Sequence, residues 1–231
     1  MENNIIGLFP TPLYKENFLN IVNFNKRDII SFIEEKTIEK DNIGNRTFYS
    51  KDKKFILDEE MFSAVREIVC EKISIFKKEI LCLGDNIEVE LSSSWININN
   101  TPDDYHHIHA HPNSYLSGVF YIKTIQPDDC IHFSNPTFGS KNIYYNSDFD
   151  ASVKDYNIYN SATWYIPVRD SDLIMFPSGF QHSVRKNDHC SEDNCRISLS
   201  FNTSVKGVYG HGGEIDGHQF ERNDSVYWRA D

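Results

Sequence analysis

From residue 87 onward the chain is a succession of short strand-like segments, and this pattern constrains the fold more than any other feature. Runs rich in β-branched and aromatic residues are separated by clusters of Pro, Gly, Asn and Asp, which is typical of strands joined by turns. We expect strands at 87–99, 115–124, 129–134, 162–168, 172–177, 181–186 and 195–204. Two earlier segments, 25–40 and 58–81, have apolar residues at helical spacing. Many short strands after two helices predict a sandwich or jelly roll with a helical buttress.

The length of 231 residues fits one large β-rich domain. We predict a single domain over 1–231, with a helical buttress at about 25–81, a barrel at about 87–204 and an irregular tail at 205–231. Residues 135–161 are rich in Asn, Asp, Ser and Tyr, and we expect a long loop there. Residues 8–14 contain two prolines, which favour an extended segment at a sheet edge.

The composition disfavours two classes of partner. Asp and Glu number 34 against 23 Lys and Arg, so the formal charge is −11 and no basic stripe is present. This argues against binding to nucleic acid and to anionic membranes, because both need clustered positive charge. No apolar run of about 18 residues and no secretory leader are visible, so we expect a cytoplasmic protein. The five cysteines form no paired framework, which fits free thiols, although Cys190 and Cys195 with His189 leave a zinc site open.

Three histidines, His107, His109 and His111, occupy alternate positions just before the apolar strand at 115–124. Side chains in a strand alternate between its two faces, so these imidazoles would project from one face. Neutral imidazole is the commonest metal ligand in proteins. The spacing therefore predicts a metal site where this strand begins.

A fourth histidine follows the strand at 172–177. That strand ends at a Pro-Ser-Gly turn, and the next strand begins with His182. In a jelly roll, an early and a late strand lie close together at one mouth of the barrel. His182 can therefore converge with His109 and His111 on one metal ion.

The last predicted strand places Arg196, Ser198 and Ser200 on one face and apolar residues on the other. An arginine that points into a barrel needs an anionic partner, because burial of an unpaired guanidinium costs too much free energy. Its planar fork can bind a carboxylate through two nitrogens, with Ser198 donating one more hydrogen bond. The alternative is a surface ion pair with an acid such as Glu192.

These segments together resemble a known family. The three motifs are His-x-His-Pro-x-Ser-x-x-Ser-Gly-Val-x-Tyr from His109, Asp-Leu-Ile-x-Phe-Pro-Ser-x-x-x-His-x-Val from Asp172, and Arg-Ile-Ser-x-Ser-Phe-Asn from Arg196. In this order they resemble the small 2-oxoglutarate/Fe(II)-dependent oxygenases of bacteria and phages, over most of residues 8–204. The resemblance implies a double-stranded β-helix, non-haem Fe(II), 2-oxoglutarate as co-substrate and hydroxylation of an unspecified substrate.

The resemblance also implies roles for individual residues. His109 and His182 match the two histidine ligands of the iron, and Arg196 with Ser198 matches the clamp for the distal carboxylate of 2-oxoglutarate. The usual third ligand is a carboxylate, but His111 stands at that position here. We favour His109, His111 and His182 as the metal ligands. Two alternatives stay open: a carboxylate from elsewhere, with Asp103 and Asp104 nearest in sequence, or His107 in a shifted register.

Asn97 and Tyr121 are candidate polar groups of the same pocket, where they would contact the co-substrate; the alternative for each is a role in core or surface packing. The substrate itself, a small molecule or a side chain, is not specified by the sequence, and neither is the oligomeric state.

Two other functions remain as alternatives. His109-x-His111 and Pro177-x-Gly179-x-x-His182 also resemble the cupin motifs, which would give a three-histidine metal enzyme that does not use 2-oxoglutarate. Against it, the cupin glutamate expected a few residues after His111 is missing, and Arg196 would have no role. The other alternative is a non-catalytic jelly roll that binds a metal or a ligand, since a fold alone does not establish activity.

Overall fold

Two antiparallel sheets that face each other form the body of the protein. The computed structural model describes residues 7, 9–42, 44–51, 55–136 and 154–207. Over these residues the seven-stranded sheet has the order β1-β9-β6-β11-β4-β3-β2, and the four-stranded sheet has the order β5-β10-β7-β8. The strands are β1 Tyr14–Asn17, β2 Thr37–Asn42, β3 Asn45–Ser50, β4 Ile87–Asn99, β5 His106–His109, β6 Leu116–Lys123, β7 Cys130–Ser134, β8 Thr163–Pro167, β9 Asp172–Pro177, β10 His182–Val184 and β11 Arg196–Gly207.

Two helices cover the outer face of the seven-stranded sheet, as the sequence predicts. Helix α1 spans Lys26–Lys36, and the side chain of Asn25 caps it by accepting a hydrogen bond from the Arg27 amide. Helix α2 spans Ser63–Ile75, follows two short 3-10 turns and continues into a π-helical turn at Phe76–Ile80. Their apolar stripes join the sheet in one hydrophobic core. In the described part of the chain, no helix is long and apolar enough to cross a membrane.

The predicted helix at 25–40 is wrong beyond Lys36. The backbone of Thr37 is extended, and its hydroxyl donates to the Ile33 carbonyl at 2.6 Å, which ends the helix. Residues 37–42 then form β2, which pairs with β3 as a hairpin that the sequence analysis did not predict. Both strands lie at one edge of the seven-stranded sheet.

The strands beyond residue 87 follow the predicted pattern closely, with β4 and β9 matching it at both ends. The extended segment predicted near the N-terminus becomes β1, which begins at Tyr14 and lies at a sheet edge beside β9. The prediction of an irregular tail from residue 205 is wrong at its start, because β11 continues to Gly207 along β4. Residues 208–231 and most of the predicted loop at 135–161 lie outside the described residues. The single domain stays a prediction.

Alternation along the central strands gives the seven-stranded sheet two different faces. On β11, Ile197, Leu199 and Phe201 are fully buried against the helices. Arg196 and Ser198 lie on the opposite face, where a cavity of about 210 Å³ opens between the sheets. A smaller apolar cluster closes the rest of this space; its members are Tyr121, Ile131, Phe133, Val168, Ile174 and Phe176. Because side chains alternate between the two faces of a strand, the polar residues of β11 lie in the space between the sheets.

Gly118 on β6 allows the closest packing in this core. A methyl group at this position would collide with the ring of Phe201 and lie 2.8 Å from the carbonyl oxygen of Ile174. Backbone and a core ring cannot move aside without disturbing β9 and β11, which flank β6.

We predict that Gly118→Ala lowers the free energy of unfolding by about 1–3 kcal/mol, because it overpacks a fully buried site. Urea denaturation followed by circular dichroism measures the change. Gly179→Ala is the matched control, since a methyl group there meets no atom within 4 Å. Equal stability of the two variants would contradict this description of the core.

Candidate metal centre

The chain between β5 and β6 is held in place by the second and third motifs. The amide of His111 donates to the carbonyl of Ser178 at 3.0 Å, and the amide of Ser178 donates to the carbonyl of Tyr115 at 3.1 Å. Asn113, between them, adopts a positive φ of 59°, which asparagine tolerates in turns. The position of His111 is thus fixed by the Pro-Ser-Gly turn that precedes β10.

Hydroxyl groups from all three motifs form one hydrogen-bond network behind this turn. Ser178 Oγ donates to Ser114 Oγ at 2.7 Å and also contacts Ser117 Oγ at 2.8 Å. Ser117 Oγ donates in turn to Asn202 Oδ1 at 2.7 Å. The serines and the asparagine of the motifs therefore brace the backbone that carries the histidines.

Three of the predicted histidines converge in the cavity. β5 and β10 pair so that His109 and His182 are direct neighbours across the ladder, and His111 follows just after β5. One ligand nitrogen from each ring lies within 4.8 Å of the others. His182 is buried and the other two are half-buried. The structure thus brings together His109, His111 and His182.

The environment of these rings favours neutral imidazoles that have a free lone pair. Burial lowers the pKa of His182 to about 3 and of His111 to about 4, and it also lowers the pKa of His109. His182 Nδ1 lies 3.0 Å from the carbonyl oxygen of Phe180, and His109 Nδ1 lies 2.8 Å from that of His107. In the neutral rings these Nδ1–H groups donate to the carbonyls, which leaves Nε2 as the acceptor.

The spacing of these nitrogens fits a metal ion. The Nε2 atoms of His111 and His182 are 3.2 Å apart. Two nitrogens bound to one ion at about 2.1 Å, with an angle of about 90–109° between the bonds, would be about 3.0–3.4 Å apart. Three neutral imidazoles match a borderline metal such as Fe(II) and leave positions open for other ligands.

The alternative ligands lie elsewhere. Asp103 is exposed and pairs with Lys186, while Asp104 accepts from the amides of Asn100 and Thr101 in a turn. Among the described residues, no carboxylate and no other histidine joins the metal-binding group. His107 is therefore outside this group. The cysteines Cys190 and Cys195 and their neighbour His189 form no metal-binding group of their own among the described residues.

Arg196 lines the same cavity, but its ionic partner is one that the sequence analysis did not identify. Its guanidinium binds the carboxylate of Asp129 through Nε and Nη2, and both side chains are buried. The suggested partner Glu192 is exposed and lies outside this pair. The guanidinium fork is therefore occupied, and Nη1 is buried with no hydrogen-bond partner.

The three other predicted pocket residues, Ser198, Asn97 and Tyr121, all line the cavity, but their hydrogen bonds and environments differ. Ser198 is buried on the same face as Arg196. The side-chain amide of Asn97 is fully engaged, since it accepts from Thr47 at 3.0 Å and donates to Ser200 at 3.0 Å. Burial raises the pKa of Tyr121 to about 12, so its hydroxyl stays protonated.

Two aromatic residues and a histidine were missed by sequence reasoning. Tyr49 stacks on Trp95 at 6.3 Å, and Trp95 contacts the ring of His111 at 5.8 Å between ring centroids. His106 lies beside His109 and interacts with the side-chain amide of Asn45, and burial lowers its pKa to about 3. The strand pattern could have found Trp95, which alternates with the buried Ile96 on β4.

Comparisons with known proteins bear on the family and the fold of this chain. Residues 93–202 match the family described as "Putative 2OG-Fe(II) oxygenase". HygX from Streptomyces hygroscopicus, solved with nickel and 2-oxoglutarate bound, has a TM-score of 0.51 at 11% identity, over 84% of this chain and 83% of that chain. SnoN, a non-heme alpha ketoglutarate dependent epimerase from nogalamycin biosynthesis, has a TM-score of 0.50 at 10% identity, over 90% of this chain and 89% of that chain.

Such low identities establish the fold alone, which is the predicted double-stranded β-helix. No curated protein sequence matches the chain. The family match covers β5 to β10 and the predicted clamp, and therefore all of the candidate site residues. Over residues 93–202 the chain is thus similar to the 2-oxoglutarate/Fe(II)-dependent oxygenases, the same family that its three motifs resemble.

Proposed function

We propose that this protein is a dioxygenase in which His109, His111 and His182 hold Fe(II), and which hydroxylates a small molecule or a side chain. In this proposal Arg196 and Ser198 bind the distal carboxylate of 2-oxoglutarate. One observation carries the assignment: three imidazole nitrogens converge within 4.8 Å in the cavity that Arg196 and Ser198 also line.

In such an enzyme the cavity residues of this chain would have different roles. Bound Fe(II) with 2-oxoglutarate and O₂ supplies oxidative decarboxylation to succinate and carbon dioxide, coupled to oxidation of the substrate. The three histidines would hold the ion and leave coordination positions for the co-substrate and oxygen. The unpartnered Nη1–H groups of Arg196 can donate to a carboxylate. Tyr121 can donate one further hydrogen bond, and Asn97 acts mainly by fixing β3 and β11 to β4.

The substrate and the location are proposed on separate grounds. A structure of HygX holds hygromycin B, which supports a small-molecule substrate on the same fold. The charge of −11 disfavours nucleic acid as a substrate. We further propose a cytoplasmic location, which the five free cysteines support because thiols persist in reducing compartments.

The metal ligands are tested by titration with Fe(II) or Ni(II) under anaerobic conditions. We expect His109→Ala to weaken metal binding by more than about 100-fold, because losing a ligand costs more than losing a residue that orients one. Quenching of tryptophan fluorescence reports binding, since the ring of Trp95 lies next to that of His111. His107→Ala keeps the backbone carbonyl that positions His109 and should bind metal as the wild type does. Full metal retention in His109→Ala would refute the ligand assignment.

The co-substrate site is tested by anaerobic addition of 2-oxoglutarate to the Fe(II) protein. We expect the weak visible charge-transfer band of a chelated 2-oxo acid. The band should be lost in Arg196→Ala at 2-oxoglutarate concentrations that saturate the wild type, because the distal carboxylate loses its donor. Arg46→Ala, which removes an exposed arginine paired with Glu39, is the matched control and should keep the band.

Other outcomes of this experiment would identify the alternatives. Iron binding without the band in the wild type would favour a cupin-like three-histidine enzyme. Absence of iron binding would favour a non-catalytic jelly roll.

A further inference from the structure

The buried ion pair of Arg196 and Asp129 restricts which nitrogens of the guanidinium are free to bind a ligand. Nε donates to Asp129 Oδ2 at 3.0 Å, and Nη2 donates to Asp129 Oδ1 and to the carbonyl of Cys130 at 2.8 Å. The exposed fractions of the two side chains are 4% and 1%. Only Nη1 has no partner, although it is buried. A buried N–H group without a partner is costly, which indicates that a ligand completes its bonding.

The carboxylate of Asp129 is itself held rigidly. Its Oδ2 also accepts from the amide of Ile125 at 3.0 Å, and its backbone carbonyl accepts from the amide of Val168 at 2.9 Å. Asp129 therefore joins the turn after β6 to the end of β8. A guanidinium held by two bonds to such an anchor has a fixed plane and a fixed position.

We propose that Asp129 is a positioning residue that sets the length of the 2-oxo diacid that this site accepts. The inference rests on the proposed function, in which the histidine-bound metal binds the 2-oxo acid end and Arg196 binds the distal carboxylate. Because Asp129 occupies Nε and Nη2, the distal carboxylate meets Nη1 alone. The metal end and the Nη1 end are then two fixed points, and the chain between them has to match their separation.

A role in charge compensation alone makes a different prediction. If Asp129 only neutralised Arg196, its loss would change the affinity for every dicarboxylate by a similar factor, since all of them carry the same distal charge. Loss of positioning instead lets the guanidinium move, so that chains of other lengths also reach it. The ratio of the affinities for diacids of different length therefore distinguishes a positioning role of Asp129 from a role in charge compensation alone.

The experiment compares three diacids on the Ni(II)-loaded protein by isothermal titration calorimetry: oxaloacetate, 2-oxoglutarate and 2-oxoadipate, which differ by one methylene each. In the wild type we expect 2-oxoglutarate to bind about 10-fold or more tightly than the other two, since one methylene in a fitted pocket has an effect of about 10–200-fold. In Asp129→Asn we expect this preference to fall to about threefold or less, with metal affinity unchanged.

Two further variants keep the result interpretable. Asp172→Asn is the matched control, because Asp172 is likewise a buried acid in an ion pair, but its partner is Lys15 and not Arg196; it should keep the wild-type preference. Asp129→Glu keeps the charge and pushes the guanidinium toward the cavity, so its preference should shift toward oxaloacetate. If Asp129→Asn does not fold, the Asp129→Glu variant tests the positioning role on its own.

The outcomes separate the two proposals. The positioning role would be overturned if Asp129→Asn keeps the wild-type ratio of affinities for the three diacids, even where all three affinities fall by the same factor. The proposed function would be left intact. An unchanged preference in Asp129→Glu would do the same. A wild-type protein that binds Ni(II) but none of the three diacids would instead overturn the proposed function.

Discussion

The pairing of β5 with β10 is the interaction on which the proposed metal centre depends. It places His109 directly across the ladder from His182, so the main-chain hydrogen bonds of a sheet fix the distance between two proposed ligands that are far apart in sequence. The third proposed ligand, His111, follows the end of β5, and its amide donates to the carbonyl of Ser178 in the turn before β10. Both sides of the site thus rest on backbone contacts between the same two segments.

The seven-stranded sheet supplies the other half of the site by having two unlike faces. Its apolar face is covered by α1 and α2, and this large core gives the sheet its rigidity. The opposite face carries polar side chains into the space between the sheets, including Arg196 and Ser198 on β11. A buried arginine is tolerated there because the buried carboxylate of Asp129 neutralises it.

Sequence reasoning predicted well whatever has a local signature. Strands such as β4 and β11 follow from alternation, and so does the shared face of Arg196 and Ser198, whereas β9 follows from a short apolar run bounded by turn residues. The β2–β3 hairpin was not predicted, because residues 39–42 of β2 are all charged or amide residues and show no apolar alternation. Asp129 was missed for another reason. Its partner lies 67 residues away, and only the assembled sheets bring the two side chains together.

The three-histidine iron centre is the central claim, because His111 stands where the usual triad has a carboxylate. X-ray absorption spectroscopy on the Fe(II) protein with bound 2-oxoglutarate tests it most directly, since the outer-shell scattering of imidazole rings counts the histidine ligands. We predict three imidazoles on the iron in the wild type and two in His111→Ala. Two imidazoles in the wild type, with a carboxylate from the protein as third ligand, would contradict the claim.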